Sequence, residues 1–151
     1  MYCPMRTVDL KTICHAAIFA LPLMFVWSFP IMAQGKALGS FRDWSAQTFT
    51  ESGNIVCSMW SQPTKAEGKY TRRGEIYAFV THRPADVRLN EVSFEAGYMY
   101  KPGSDVTVAI GKGTFSLFTK DSTAWNSAAK GDNAVIKAMR AGSRMVVKGV
   151  S

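Results

Sequence analysis

The feature that most constrains this chain is an alternation of apolar and polar residues, interrupted by turn residues every eight to twelve positions. Between Glu91 and Tyr100, every second residue is apolar or aromatic. Successive side chains of a strand point to opposite faces, so this segment is a half-buried strand. From Phe41 onward the pattern predicts a mainly β fold. We expect a single antiparallel β-sandwich or barrel-like domain with one or two short helices near the C-terminus.

Turn residues delimit the predicted strands. Pro63 ends the second strand because proline cannot donate to a β-ladder. The third has apolar residues on both faces, which predicts a central position. Gly111, Lys112 and Gly113 form the turn of a hairpin. The predicted strands are 41–50, 55–62, 75–82, 91–100, 106–110, 114–119 and 144–149.

Two helical segments are predicted after the hairpin. One is a short turn that carries Trp125 and is capped by a residue of 121–123. The other runs from about Asn133 to Ala141, with Asp132 as its N-cap and Gly142 as its stop.

The first 33 residues have the pattern of a Sec signal peptide. Arg6 and Lys11 precede an apolar run, and a small residue, Ala33, comes before the polar Gln34. The alternative is a retained membrane anchor, but the run is shorter than the roughly 20 apolar residues that a span needs. We expect a signal peptide over 1–33, a flexible leader over 34–40 and the β domain over 41–151.

After cleavage, the chain would keep one cysteine, Cys57, and one histidine, His82. A general base at His82 acting with Cys57 or a serine is the catalytic interpretation. The non-catalytic interpretation is a surface or capping histidine and a buried thiol on the face of Ile55 and Met59. An intermolecular disulfide through Cys57 is a further alternative.

Other catalytic and cofactor sites find little support in the sequence. One histidine and one cysteine do not make the usual zinc ligand set, so we expect no metal and no cofactor. No spacing singles out a pair among the carboxylates Glu75, Glu91 and Glu95. Residues 111–114 lack the spacing of a phosphate-binding loop and join two strands, so they are a hairpin turn.

A basic stretch is the one segment of functional interest. The chain carries 18 Lys and Arg against 11 Asp and Glu. The candidate binding residues are Lys65, Lys69, Tyr70, Arg72 and Arg73. They suit an anionic surface such as lipopolysaccharide, phospholipid headgroups or an acidic protein. The alternative interpretation is a solvated loop that has no binding role. The predicted export argues against nucleic acid as a partner.

Several segments, in this order, resemble the invasion-associated locus B family. Phe41-Arg42-Asp43-Trp44 is similar to its Phe-x-Asp-Trp opening. The other similar segments are 57–65, 70–78, 80–84, 115–118 and 139–142. The resemblance implies an exported alphaproteobacterial protein of mainly β structure, without established catalytic residues. It also implies a further strand after Gly149, so we expect a chain truncated at the C-terminus.

These observations predict an exported, non-enzymatic protein of the cell envelope, periplasmic or secreted, or peripheral to the outer membrane. It would bind an anionic envelope component or partner protein through the basic stretch. A role in host-cell invasion is known for the family and is not carried over to this chain. The alternative is a small periplasmic hydrolase that uses carboxylates or His82.

Overall fold

Nine strands and one α-helix make up the part of the chain that the computed structural model describes, residues 35–69 and 71–151. The predicted signal peptide and Tyr70 lie outside the described residues. The strands are β1 (Lys36–Phe41), β2 (Trp44–Glu51), β3 (Asn54–Ser61), β4 (Tyr77–Arg83), β5 (Arg88–Glu95), β6 (Asp105–Ile110), β7 (Gly113–Lys120), β8 (Thr123–Trp125) and β9 (Met145–Lys148). The helix is α1 (Ala129–Ala141), and Pro84–Asp86 form a short 3-10 turn.

All nine strands belong to one open antiparallel sheet. Their order is β1-β2-β3-β4-β5-β8-β7-β6-β9, and every pairing is antiparallel. The mainly β, antiparallel class predicted from the alternation is therefore confirmed, and the strands form one open sheet where a sandwich or barrel-like arrangement was expected. The central position predicted for the third strand of the sequence analysis is confirmed too, since β4 lies between β3 and β5.

The tight turns follow the sequence closely. Ile110 is directly opposite Gly113 in the β6–β7 hairpin, and Gly111 has a φ of 57°. The turn before β6 closes with a 3.0 Å hydrogen bond from Ser104 N–H to the Lys101 carbonyl. Gly103 has a φ of 74° there, which a type II turn requires of its third residue.

The prediction of a flexible leader over 34–40 is wrong for most of that segment. Lys36–Phe41 form β1, which pairs with β2 from Lys36 opposite Thr48 to Phe41 opposite Trp44. Every residue of β1 is exposed, so its sequence carries no alternation of apolar and polar residues. Backbone pairing with β2 makes it a strand, and the predicted first strand is divided at the turn that contains Arg42.

Two predictions near the C-terminus also need correction. Trp125 lies in β8 and not in a helical turn, because β8 pairs on both sides, with β5 and β7. The helix α1 begins at Ala129, after Ala128 as N-cap, so Asp132 lies within its first turn. Gly142 ends the helix as predicted. No helix in the described part of the chain is long and apolar enough to span a bilayer.

The core lies between the sheet and α1, which packs on β5 and β7. Its largest fully buried side chains are Val92, Val106, Val108, Leu117 and Val135. The strand predicted over 91–100 ends at Glu95, yet Ala96 and Tyr100 stay buried in the same cluster. The alternation therefore identified the buried side chains correctly beyond the end of the strand.

Candidate functional site: a basic groove

A groove of about 1240 Å³ opens between the loop that joins β3 to β4 and the C-terminal residues 142–151. Its apolar lining comes from several elements that are distant in sequence. These residues are Trp44, Tyr77, Tyr98, Tyr100, Met139 and Met145. The groove thus combines an apolar and aromatic lining with a polar loop on one side.

The candidate binding residues that the structure describes all line this groove. They are Lys65, Lys69, Arg72 and Arg73, whereas Tyr70 lies outside the described residues. Lys65 forms an ion pair with Glu67, and both side chains are more than 70% exposed, so this pair adds little stability. Lys69 and Arg72 are exposed and have no ion pair within residues 35–69 and 71–151.

Arg73 has a structural role as well as a charge. Its Nε donates a 2.9 Å hydrogen bond to the Ala96 carbonyl, and its guanidinium lies 5.3 Å from the centre of the Tyr98 ring. The next residue, Gly74, donates a 2.7 Å backbone bond to Gly97. These contacts fasten the end of the loop to the segment that follows β5.

Two further cations of the groove were missed by the sequence analysis. Arg144 precedes β9 and Lys148 is its last residue. Both are exposed and line the groove. They arrive there because β9 pairs with β6, with Lys148 opposite Thr107. Nothing local in the sequence signals this, since the pairing joins segments about 40 residues apart. The predicted terminal strand itself is confirmed, at a sheet edge.

The charge of the groove is strongly unbalanced. Six cationic side chains line it, Lys65, Lys69, Arg72, Arg73, Arg144 and Lys148, against three acidic ones, Asp43, Glu67 and Glu95. The two tyrosines beside Arg73 form an edge-to-face pair with ring centres 5.3 Å apart. Burial is the main factor that raises the pKa of Tyr100 to about 12; Tyr98 adds to the rise and Arg73 opposes it. Tyr100 therefore stays neutral at physiological pH.

The structure brings Cys57 and His82 to neighbouring positions. They are directly opposite across β3 and β4, so their side chains share a face of the sheet. His82 Nδ1 accepts a 2.8 Å hydrogen bond from the Asn90 backbone N–H. Cys57 is half-buried, so its thiol is more exposed than the predicted buried one. Ile55, on the same face, is 66% exposed, because the strand extends past the core at that end.

The carboxylates that the sequence analysis considered are dispersed. Glu75 accepts a 2.6 Å bond from Gln62, and Glu95 lines the basic groove. Glu91 and Glu51 both hold Arg83, with N–O distances of 2.8 Å, and the Glu51 hydrogen bond is the largest factor that raises the pKa of Arg83. Within the described ranges, no three His, Cys, Asp or Glu side chains form a group that could hold a metal ion.

Comparison with known proteins identifies a family for the chain. Neither the curated proteins nor the solved structures gave a significant match. The family model described as "Invasion associated locus B (IalB) protein" matches residues 44–151, from the start of β2 to the last residue. That match covers the groove and most of the strands, and the chain belongs to the invasion-associated locus B family.

Proposed function

We propose that this chain is an exported, non-enzymatic protein that docks through its basic groove on an anionic phospholipid surface of the cell envelope. The observation that carries the proposal is the set of four exposed cations in the groove that have no ion pair within the described residues. These are Lys69, Arg72, Arg144 and Lys148. Phosphate groups supply the negative charge that such a cluster attracts.

The placement of these cations supports docking on a surface. They come from two separate segments, the β3–β4 loop and the β9 region, and border one groove. Arg73 fastens the end of the loop to the Ala96 carbonyl, directly after Arg72. The apolar lining between them offers room for the glycerol and upper acyl region of a lipid.

The cellular location rests on the sequence and on the family. Residues 1–33 predict a signal peptide, and the family is associated by name with invasion. A periplasmic or secreted protein that attaches to the envelope by charge is consistent with both. The absence of a catalytic role is part of the proposal. The carboxylate of Glu91 forms an ion pair with Arg83, and Nδ1 of His82 accepts a hydrogen bond from the Asn90 backbone N–H.

The test is co-sedimentation of the purified protein with vesicles of phosphatidylglycerol and phosphatidylcholine, and with vesicles of phosphatidylcholine alone. We expect binding to the anionic vesicles only, and release by salt, because exposed charges are screened over about 8 Å at physiological ionic strength. Replacing the four unpaired groove cations by alanine should weaken binding at least about a hundredfold, since each contributes about 1 kcal/mol at such a surface.

A matched variant separates the groove from the net charge. Lys36, Lys112, Lys130 and Lys137 are exposed, lie outside the groove and carry the same total charge. Their replacement by alanine should leave most of the binding intact. Equal losses in the two fourfold variants would show that net charge alone drives binding and would refute the groove. Binding to neither kind of vesicle would refute the lipid surface altogether.

A further inference from the structure

A second cleft, of about 970 Å³, shares no lining residue with the basic groove. It lies among the β2–β3 turn, the segment 83–91, the strands β7 and β8, and the start of α1. Its volume is near the upper end for small-molecule sites, which gives room for a chain of several small units. The predicted binding residues Lys65, Lys69, Arg72 and Arg73 do not line it.

An aromatic pair lines this cleft. Phe118 and Trp125 are directly opposite on β7 and β8, so both rings project from the same face of the sheet. Their centres are 5.9 Å apart and their planes differ by 31°. Phe118 is 45% exposed, although an aromatic ring of its size gains stability from burial. The pair therefore presents an apolar surface to the cleft.

A buried carboxylate with a vacant acceptor lines the same cleft. Asp132 is only 8% exposed, and its Oδ1 accepts hydrogen bonds from Val92 N–H and Asn126 Nδ2, at 3.0 and 2.9 Å. Its Oδ2 accepts none from residues 35–69 or 71–151. No fully buried side-chain oxygen in that part of the chain lacks a partner, so Oδ2 is accessible to solvent, and Asp132 lines the cleft. It is an acceptor that suits a ligand hydroxyl.

The charge of this cleft is nearly balanced, unlike that of the groove. Four acidic side chains line it, Glu51, Asp86, Glu91 and Asp132, with three basic ones, Arg83, Arg88 and Lys120. Arg83 is fixed by Glu51 and Glu91 together, which leaves an ordered array of donors and acceptors with little net charge. Such a site favours a neutral ligand that has many hydroxyls.

We propose that this cleft binds a neutral oligosaccharide chain of β-linked sugars in the gluco configuration. Equatorial hydroxyls leave the axial C–H bonds of such a ring on flat apolar faces, which suit the Phe118–Trp125 pair. The hydroxyls at the ring edge would meet Oδ2 of Asp132 and the polar side chains around Arg83. This site is independent of the basic groove and of lipid docking.

The experiment is a calorimetric titration of the purified protein with cellotetraose and with chitotetraose. We expect saturable binding of at least one tetramer. Phe118→Ala should weaken it about tenfold, because it removes one stacking partner. Asp132→Asn turns one acceptor into a donor and should weaken binding several-fold while the aromatic pair remains. Trp60→Ala is the matched control, since Trp60 lines neither cleft nor groove.

The outcomes separate clearly. Loss of affinity in Phe118→Ala and Asp132→Asn, with Trp60→Ala unchanged, supports the assignment. The proposal is overturned if neither tetramer binds the wild-type protein at millimolar concentration, or if Phe118→Ala and Asp132→Asn both bind as tightly as the wild type. Circular dichroism of each variant checks the fold, and the two substitutions act on different elements, so misfolding of one leaves the other as the test.

Discussion

Oδ1 of Asp132, in the first turn of α1, accepts a 3.0 Å hydrogen bond from the backbone N–H of Val92 in β5. The neighbouring strand β8 is short and its pairing with β5 starts at Ser93, so it does not reach Val92. The carboxylate therefore takes the place of a strand partner, and it joins the helix to the middle of the sheet.

Removal of that acceptor should destabilise the fold. Asp132→Ala leaves the buried Val92 N–H without a partner, which costs about 1–3 kcal/mol. Asp132→Asn keeps an amide oxygen at the same position, so we expect a change within about 1 kcal/mol at neutral pH. Urea unfolding followed by circular dichroism measures both. Similar losses in the two variants would contradict a hydrogen-bonding role for Oδ1.

The same carboxylate should give an acid-range pH dependence. Burial is the main factor that raises the pKa of Asp132, and Glu91 adds to it, while the bonds from Val92 and Asn126 oppose it. Because the folded state then holds the proton more tightly, the contribution to stability is full below the unfolded pKa, near 4. It is lost as the pH rises through the folded pKa. The free-energy difference between wild type and Asp132→Asn should therefore fall with rising pH, and a flat difference would contradict the shift.

Gly97 should tolerate no side chain. It has a φ of 71°, and a Cβ there would collide with the Gly74 carbonyl. The backbone N–H of Gly74 donates a hydrogen bond to the Gly97 carbonyl, which holds the two residues close together. We expect Gly97→Ala to cost about 3 kcal/mol, from strain and overlap together. Gly103 has a similar φ of 74° with open space around it, so Gly103→Ala should cost only about 1 kcal/mol. Thermal unfolding of both variants isolates the overlap, and equal costs would argue against it.

Replacement of Arg83 by lysine should destabilise the fold. Its Nε and Nη1 contact Glu51 and Glu91 at 2.8 Å each, and this ties β2 to β5 across two intervening strands. A lysine has one ammonium group and cannot reproduce the forked geometry. Arg83→Lys should cost about 1 kcal/mol, because the groups are partly exposed. The double variant with Glu51→Gln should cost little more than either single change, and full additivity in denaturant unfolding would contradict the coupling.

Tyr100 should titrate late. Its pKa is raised to about 12, mainly by burial, so the neutral ring is favoured in the folded state. The sign follows that of Asp132: the contribution is present below the unfolded pKa, near 10, and is lost as the pH rises through about 12. Tyrosinate absorbance should show a late component that Tyr100→Phe removes.

Much of the sheet was predictable because alternation is a local signal. The segments 55–62 and 106–119 become β3, β6 and β7 almost residue for residue, and Gly142 ends α1 as its position predicts. Lys36–Phe41 were not predictable, since an edge strand with every residue exposed has no alternation to report. Asp132 has a residue type that suits an N-cap, but its carboxylate accepts a hydrogen bond from Val92 of β5 instead.

The candidate site was half predictable. Lys65, Lys69, Arg72 and Arg73 stand out in the sequence as a cluster, and they line one groove. The sequence does not distinguish Arg73, which fastens the loop to Ala96, from Arg72, which is exposed. The two arginines are adjacent and have the same charge, and only the position of a distant carbonyl separates their roles.

The sequence by itself determined the period of the side chains, hence the strands, the main turns and an excess of positive charge, because each depends on neighbours a few residues apart. Only the tertiary structure decided the order of the strands. That order brings Lys148 of β9 to the groove. The physical reason is that pairing between distant segments depends on how all the buried faces pack together, which no local pattern records.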